Sequence, residues 1–144
     1  MTPTLVGRWQ TRTLLFFIIG VPITLPFCLL AVFLNPLSAP LPLVMLAIIL
    51  LIGLGMDVVY DRIQQQRWDH DWPVHAQLWA GVAEGGLSFV ALFGWCGGFA
   101  LLNPLFLPLF PIHYLSVWGA IFLVLQGPIQ VLLPRWRFRG GEIL

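Results

Sequence analysis

Four stretches of this chain, residues 13–34, 41–60, 78–102 and 112–133, are nearly free of charge and long enough to cross a bilayer. A helix needs about 20 apolar residues for that crossing, and hydrocarbon tolerates no unpaired backbone that would form a loop or an open sheet edge. The pattern therefore predicts an all-α membrane protein with four transmembrane helices in one integral membrane domain covering residues 1–144. Only Asp57, near the end of the second run, and Glu84, near the start of the third, interrupt it. Charged residues make up 9% of the chain, where soluble domains carry roughly 25%.

Short links at 35–40 and 103–111 imply two antiparallel hairpins, joined by a polar connector over 61–77. Both links are rich in proline and free of charge, which predicts rigid, non-helical turns lying in the interface or under a partner. The first run is too long for a signal-peptide core and lacks a small-residue cleavage site, so it reads as a retained helix. All seven basic residues are arginines. Arg8 and Arg12 precede the first run, Arg62 and Arg67 sit in the connector, and Arg135, Arg137 and Arg139 follow the fourth. The positive-inside rule then places both termini and the connector on the cytoplasmic side. Trp9, Trp68, Trp72, Trp79 and Trp136 fall at that same boundary, as an aromatic belt would.

Leu34-Asn35-Pro36-Leu37 matches Leu102-Asn103-Pro104-Leu105, Arg67-Trp68 matches Arg135-Trp136, and Cys28 matches Cys96, all at one offset. A parallel tandem repeat of hairpins accounts for this, and so does shared boundary chemistry. Pro22 and Pro26 should bend the first helix, and Gly127-Pro128 the fourth. In the third run, Gly81 and Gly85, then Gly94 and Gly98, have the spacing that lets helices approach closely in lipid.

Candidate chemistry gathers between Asp57 and Glu84. A carboxylate within a span is expensive and points to function unless it is paired. Asp57 and Glu84 are expected to bond to each other or to Arg62 or Arg67 as a structural contact, or to serve an ion or proton path. Asp57, Asp61, Gln64 and Trp68 fall on one helical face. The Asp57-Val58-Val59-Tyr60-Asp61-Arg62 segment resembles the aspartate spacing with which polytopic prenyltransferases hold magnesium and diphosphate. Four short helices are too few for that fold, so its activity is not carried over. Trp68, Asp69, Asp71 and Trp72 form a compact polar and aromatic patch suited to docking a partner. His75 and His113 are candidate ligands for haem or chlorophyll, or else interfacial polar residues.

No nucleophile elbow, phosphate loop, dinucleotide fingerprint or metal-ligand motif occurs, so no enzyme, catalytic residue, metal or tightly held cofactor is expected. A net charge of +1 gives no basic patch for nucleic acid. The expected partners are membrane lipid, other membrane subunits or further copies of the chain. The leading functional expectation is a non-catalytic accessory or assembly subunit of a larger membrane complex. It would pack through the glycine-rich third helix and dock a partner through the connector. The alternative is a small oligomeric transporter, or an ion- or proton-conducting protein, that uses Asp57 and Glu84. A pigment-binding subunit comes third. The expected location is a bacterial inner membrane or a thylakoid-like membrane.

Overall fold

The computed structural model describes residues 3–68, 70–95, 106–133, 136 and 138–142. Among these it contains helices and turns and no strand. Four helical stretches, Leu5–Leu34, Pro36–Gln66, Val74–Gly94 and Leu107–Leu132, are long and apolar enough to cross a membrane.

The first stretch has three parts, α1 (Leu5–Leu15), a π-helical turn (Phe16–Gly20) and α2 (Val21–Leu34). Thr4 caps α1, its hydroxyl accepting the Gly7 N–H at 3.1 Å. The π turn sits just ahead of Pro22. Proline has no N–H and its ring crowds the carbonyl four residues back, and one widened turn relieves both. The span therefore starts well before residue 13, and Arg8 and Arg12 belong to it rather than to a preceding tail.

After a 3-10 turn at Pro36–Ser38, α3 runs from Leu41 to Gln66. Its 26 residues reach about 39 Å at 1.5 Å per residue, so the helix projects beyond hydrocarbon into what the sequence assigns to the connector. The helix ends where Gln64 ties its side chain to the His70 carbonyl at 2.8 Å. His70 itself takes a left-handed backbone, φ 49. The next helix, α4 (Val74–Trp95), begins one residue after Pro73. Residues 67–73 are thus the whole break between two helices, shorter than the expected connector.

The fourth stretch begins as α5 (Phe106–Gln126). Residues 106–111, read from the sequence as part of a non-helical link over 103–111, are therefore helical, and 103–105 lie outside the described residues. A proline near a helix start loses only a donor that has no partner there anyway, so Pro108 is accommodated. Pro111 lies inside the helix. At Gly127, φ −124 and ψ −84 leave the helical region, and α6 (Pro128–Leu132) follows. The break expected at Gly127-Pro128 is there. The second copy of the repeat motif, at 102–105, lies outside the described residues, as do Cys96 and Gly98.

The third element, α3, is the hub, packing against α1, α2, α4 and α5. Its buried face is Met45, Leu46, Ile49, Gly53, Asp57, Tyr60 and Gln64. It meets Leu92 of α4, Val117 and Ile121 of α5, and Leu15 and Phe16 of the first span in one apolar cluster. Residues such as Phe33, Leu51, Val90 and Leu123 face outward, as lipid contact requires.

Candidate functional site

Arg12 is the last basic residue before a long uncharged stretch, and α1 carries it to the height of both intramembrane acids. Its guanidinium binds Asp57 of α3 through Nε to Oδ2 and Nη2 to Oδ1, both 2.8 Å. The same group binds Glu84 of α4 through Nη1 to Oε2 at 2.8 Å and Nη2 to Oε1 at 2.9 Å. Three spans are thereby joined by one planar fork. Paired N–H donors matching two carboxylate oxygens make this the strongest polar contact available between side chains. Asp57 is 2% exposed and Glu84 4%. The cation shared by both acids is Arg12, where the sequence pointed to Arg62 or Arg67.

The bridge depends on a missing side chain. A Cβ on Gly53 would fall on Arg12, less than van der Waals distance from Nη1 and 2.8 Å from Cζ. Gly53 stands one turn before Asp57 on the same face, so the arginine crosses α3 through the gap that glycine leaves and continues to Glu84.

Glycines also seat the aromatic wall opposite. A Cβ on Gly81 would strike the Trp118 indole, and one on Gly85 would lie 2.7 Å from the Tyr114 ring. The Tyr114 hydroxyl donates to the Gly81 carbonyl at 2.5 Å, and the Tyr60 hydroxyl to the Ala80 carbonyl at 3.2 Å. The first glycine pair thus serves packing within the chain. Gly94 meets open space, as does Gly86.

Between the bridge and these aromatics lies a cavity of about 160 Å³. An engineered cavity of roughly 150 Å³ takes benzene, so the space suits a small guest. Arg12, Asp57 and Glu84 form its charged wall, and Tyr114, Trp118 and Phe122 its aromatic one. Arg8, one turn before Arg12, also lines it. The Arg8 guanidinium donates to Gln64 Oε1 at 2.6 Å and lies 4.7 Å over the Trp72 ring. Trp72 in turn packs on Tyr60 at 5.4 Å.

The remaining sequence candidates are scattered. Asp61 is half-buried and accepts from Gln65 at 2.7 Å. The buried face of α3 carries Gly53, Asp57, Tyr60 and Gln64, and Trp68 lies beyond the helix end. Arg62 is exposed and Arg67 half-buried. Trp68 is 92% exposed. Asp71 accepts the Trp72 N–H at 2.9 Å, and Asp69 lies outside the described residues. Trp136 is buried, donating its indole N–H to Thr11 at 2.7 Å. His75 is exposed at the start of α4. His113 is fully buried in α5, with Nε2 2.9 Å from the Thr24 hydroxyl and Phe27 edge-on at 5.1 Å. Thr24 spends its own proton on the Gly20 carbonyl at 2.7 Å, so His113 is the donor to Thr24 and carries its proton on Nε2. No group of three metal-ligating side chains occurs among the described residues.

Arg12 itself was missed as a site residue, as were Gly53, Tyr114 and Thr24. One signal was available for Arg12: it is a lone cation at the same helix depth as two acids that need a partner. The chain matches no known family model, no curated protein and no solved structure.

Proposed function

We propose that this chain is a small membrane transport or ion-handling protein whose switchable charges are Asp57 and Glu84, held by Arg12. The observation that carries the reading is a single guanidinium shared by two buried acids of two other spans, on the wall of a cavity. Such a bridge is expensive to bury, and its net value to stability over apolar packing is small, so its presence within a span favours a working role. With Arg8, the cavity wall carries two positive and two negative groups. Protonating one acid, or releasing it from Arg12 to a passing cation, changes which span the arginine holds. That gives the site two arrangements, as a switch requires. Both termini lie on the cytoplasmic side in this reading, and four helices serve one path by dimerising. The test is proton and monovalent-cation flux into vesicles reconstituted with the pure protein. Flux above that of empty vesicles is expected, with loss of most of it in the Asp57→Asn, Glu84→Gln double variant. Equal flux in that variant removes the acids from the mechanism, and no flux in the native protein removes the reading.

A second reading, an accessory subunit of a larger membrane complex, is favoured by the outer face of α4. Val82, Gly86, Val90 and Gly94 repeat there every four residues, with open space over both glycines. Purification in mild detergent that yields only an isolated monomer ends this reading.

A further inference from the structure

We propose that the Arg12 cavity is a binding site for a small carboxylate with a planar apolar body, held by the guanidinium groups of Arg8 and Arg12. The four charges of the wall sum to zero, but they do not face the cavity equally. Arg12 keeps 19% of its side chain exposed, against 3% for Asp57 and 5% for Glu84. The acids are covered by the arginine that binds them, so a guest on this wall meets guanidinium first. Arg8 adds a second guanidinium to the same lining. Among the described residues it forms no ion pair. It donates to the neutral Gln64 amide at 2.6 Å and lies over the Trp72 ring. Its positive charge thus has no carboxylate in contact.

The hydroxyls of the lining are already committed. Those of Thr11, Tyr60 and Tyr114 spend their protons on the carbonyls of Gly141, Ala80 and Gly81. The charged donor left for a guest is a planar fork whose paired N–H groups match the two oxygens of a carboxylate. The opposite wall sets the rest of the guest. Tyr114, Trp118 and Phe122 present rings, and Leu15, Val117 and Ile121 add aliphatic surface. Aromatic side chains pack well on a flat apolar body. A space of about 160 Å³ takes about one six-membered ring rather than a long acyl chain. A mostly apolar cavity with a few placed charges is the usual form of a small-ligand site. A cationic guest would have to displace Arg12 from two acids that hold it by four bonds of 2.8–2.9 Å. A carboxylate on Arg8 breaks none of them.

The guest is assigned on the reading that the Arg12 cavity is the working site, and its binding is measured at equilibrium, without a gradient. The full native chain in detergent micelles is titrated calorimetrically at neutral pH with probes of one shape and different charge: benzoate, benzamide and benzamidinium. Saturable binding of benzoate is expected, one per chain, at least about tenfold tighter than that of either other probe. Arg8→Gln should weaken benzoate binding by at least about tenfold, and Arg8→Lys should recover part of the loss. The comparison of probes needs only the native chain, so it stands if an Arg8 variant fails to fold. No saturable benzoate binding, or equal or tighter binding of benzamide or benzamidinium, overturns the assignment. Unchanged benzoate affinity in a folded Arg8→Gln chain does the same. Flux in the native chain without benzoate binding ends this inference and leaves the transport reading, and benzoate binding without flux does the reverse.

Discussion

Replacing Gly53 with alanine should be among the most damaging one-carbon changes in this chain. The new methyl would occupy the channel through which Arg12 crosses α3, 2.8 Å from Cζ and 3.2 Å from Cδ. Glycine backbone within a helix cannot yield, so the arginine must. Its four bonds to Asp57 and Glu84 all lie at 2.8–2.9 Å, leaving no slack for a guanidinium displaced by an ångström. Breaking a buried ion pair from one side costs about 3–5 kcal/mol, because the acids stay buried without their cation. Alanine returns about 1 kcal/mol through its better helix propensity. The expected net loss is therefore about 2–4 kcal/mol, measured by reversible unfolding in mixed micelles with tryptophan fluorescence as the signal. The decisive control is the same substitution in an Arg12→Met, Asp57→Asn, Glu84→Gln background. There it should be nearly neutral, since methionine is flexible and no charge is stranded. Gly53→Ala with full stability beside a native Arg12 refutes the crossing, and an equal loss in both backgrounds shows that the methyl offends something other than the bridge.

Arg12→Lys keeps the charge but cannot span two carboxylates with a planar fork, and should lose about 1–3 kcal/mol in the same unfolding assay. Gly81→Ala should displace Trp118 and shift its fluorescence, while Gly86→Ala, facing open space, should be neutral or stabilising by up to about 1 kcal/mol. Thr24→Val leaves the His113 N–H buried without its acceptor, which should cost about 1–3 kcal/mol, more than the matched Thr24→Ser change. Tyr114→Phe removes the bond to the Gly81 carbonyl and should cost about 1 kcal/mol with the ring packing kept.

The sequence by itself determined the class of fold. Four apolar runs leave a chain no choice but helices, because hydrocarbon supplies no partner for backbone N–H and C=O groups and a helix satisfies them within itself. Local chemistry also marked the Gly127-Pro128 break and the two acids, Asp57 and Glu84, as residues needing an explanation. The ends of the spans were less legible. Arg8 and Arg12 read as a tail preceding the first helix, yet helix formation is indifferent to charge at the interface and α1 begins at Leu5. The proline-rich stretch after residue 105 read as a loop, yet the start of a helix is where a missing N–H costs least.

Tertiary structure alone decided which cation meets the two acids. Arg62 and Arg67 are nearer to Asp57 in sequence, but Arg62 is exposed and Arg67 lies past the end of α3. Arg12 comes from another span and reaches both acids because three helices place them at one depth. The gap at Gly53 is likewise invisible in sequence, where a glycine in a membrane helix has many uses and nothing says which neighbour it admits. The contacts of Trp136, Gly140 and Gly141 with Thr4 and Thr11 join stretches separated by more than 120 residues. Helical periodicity reports only on residues within a few turns of each other. Where helices are driven together by shape and hydrogen bonds, with lipid as apolar as their side chains, the choice of neighbours is made by the fitted surfaces and becomes legible only when they meet.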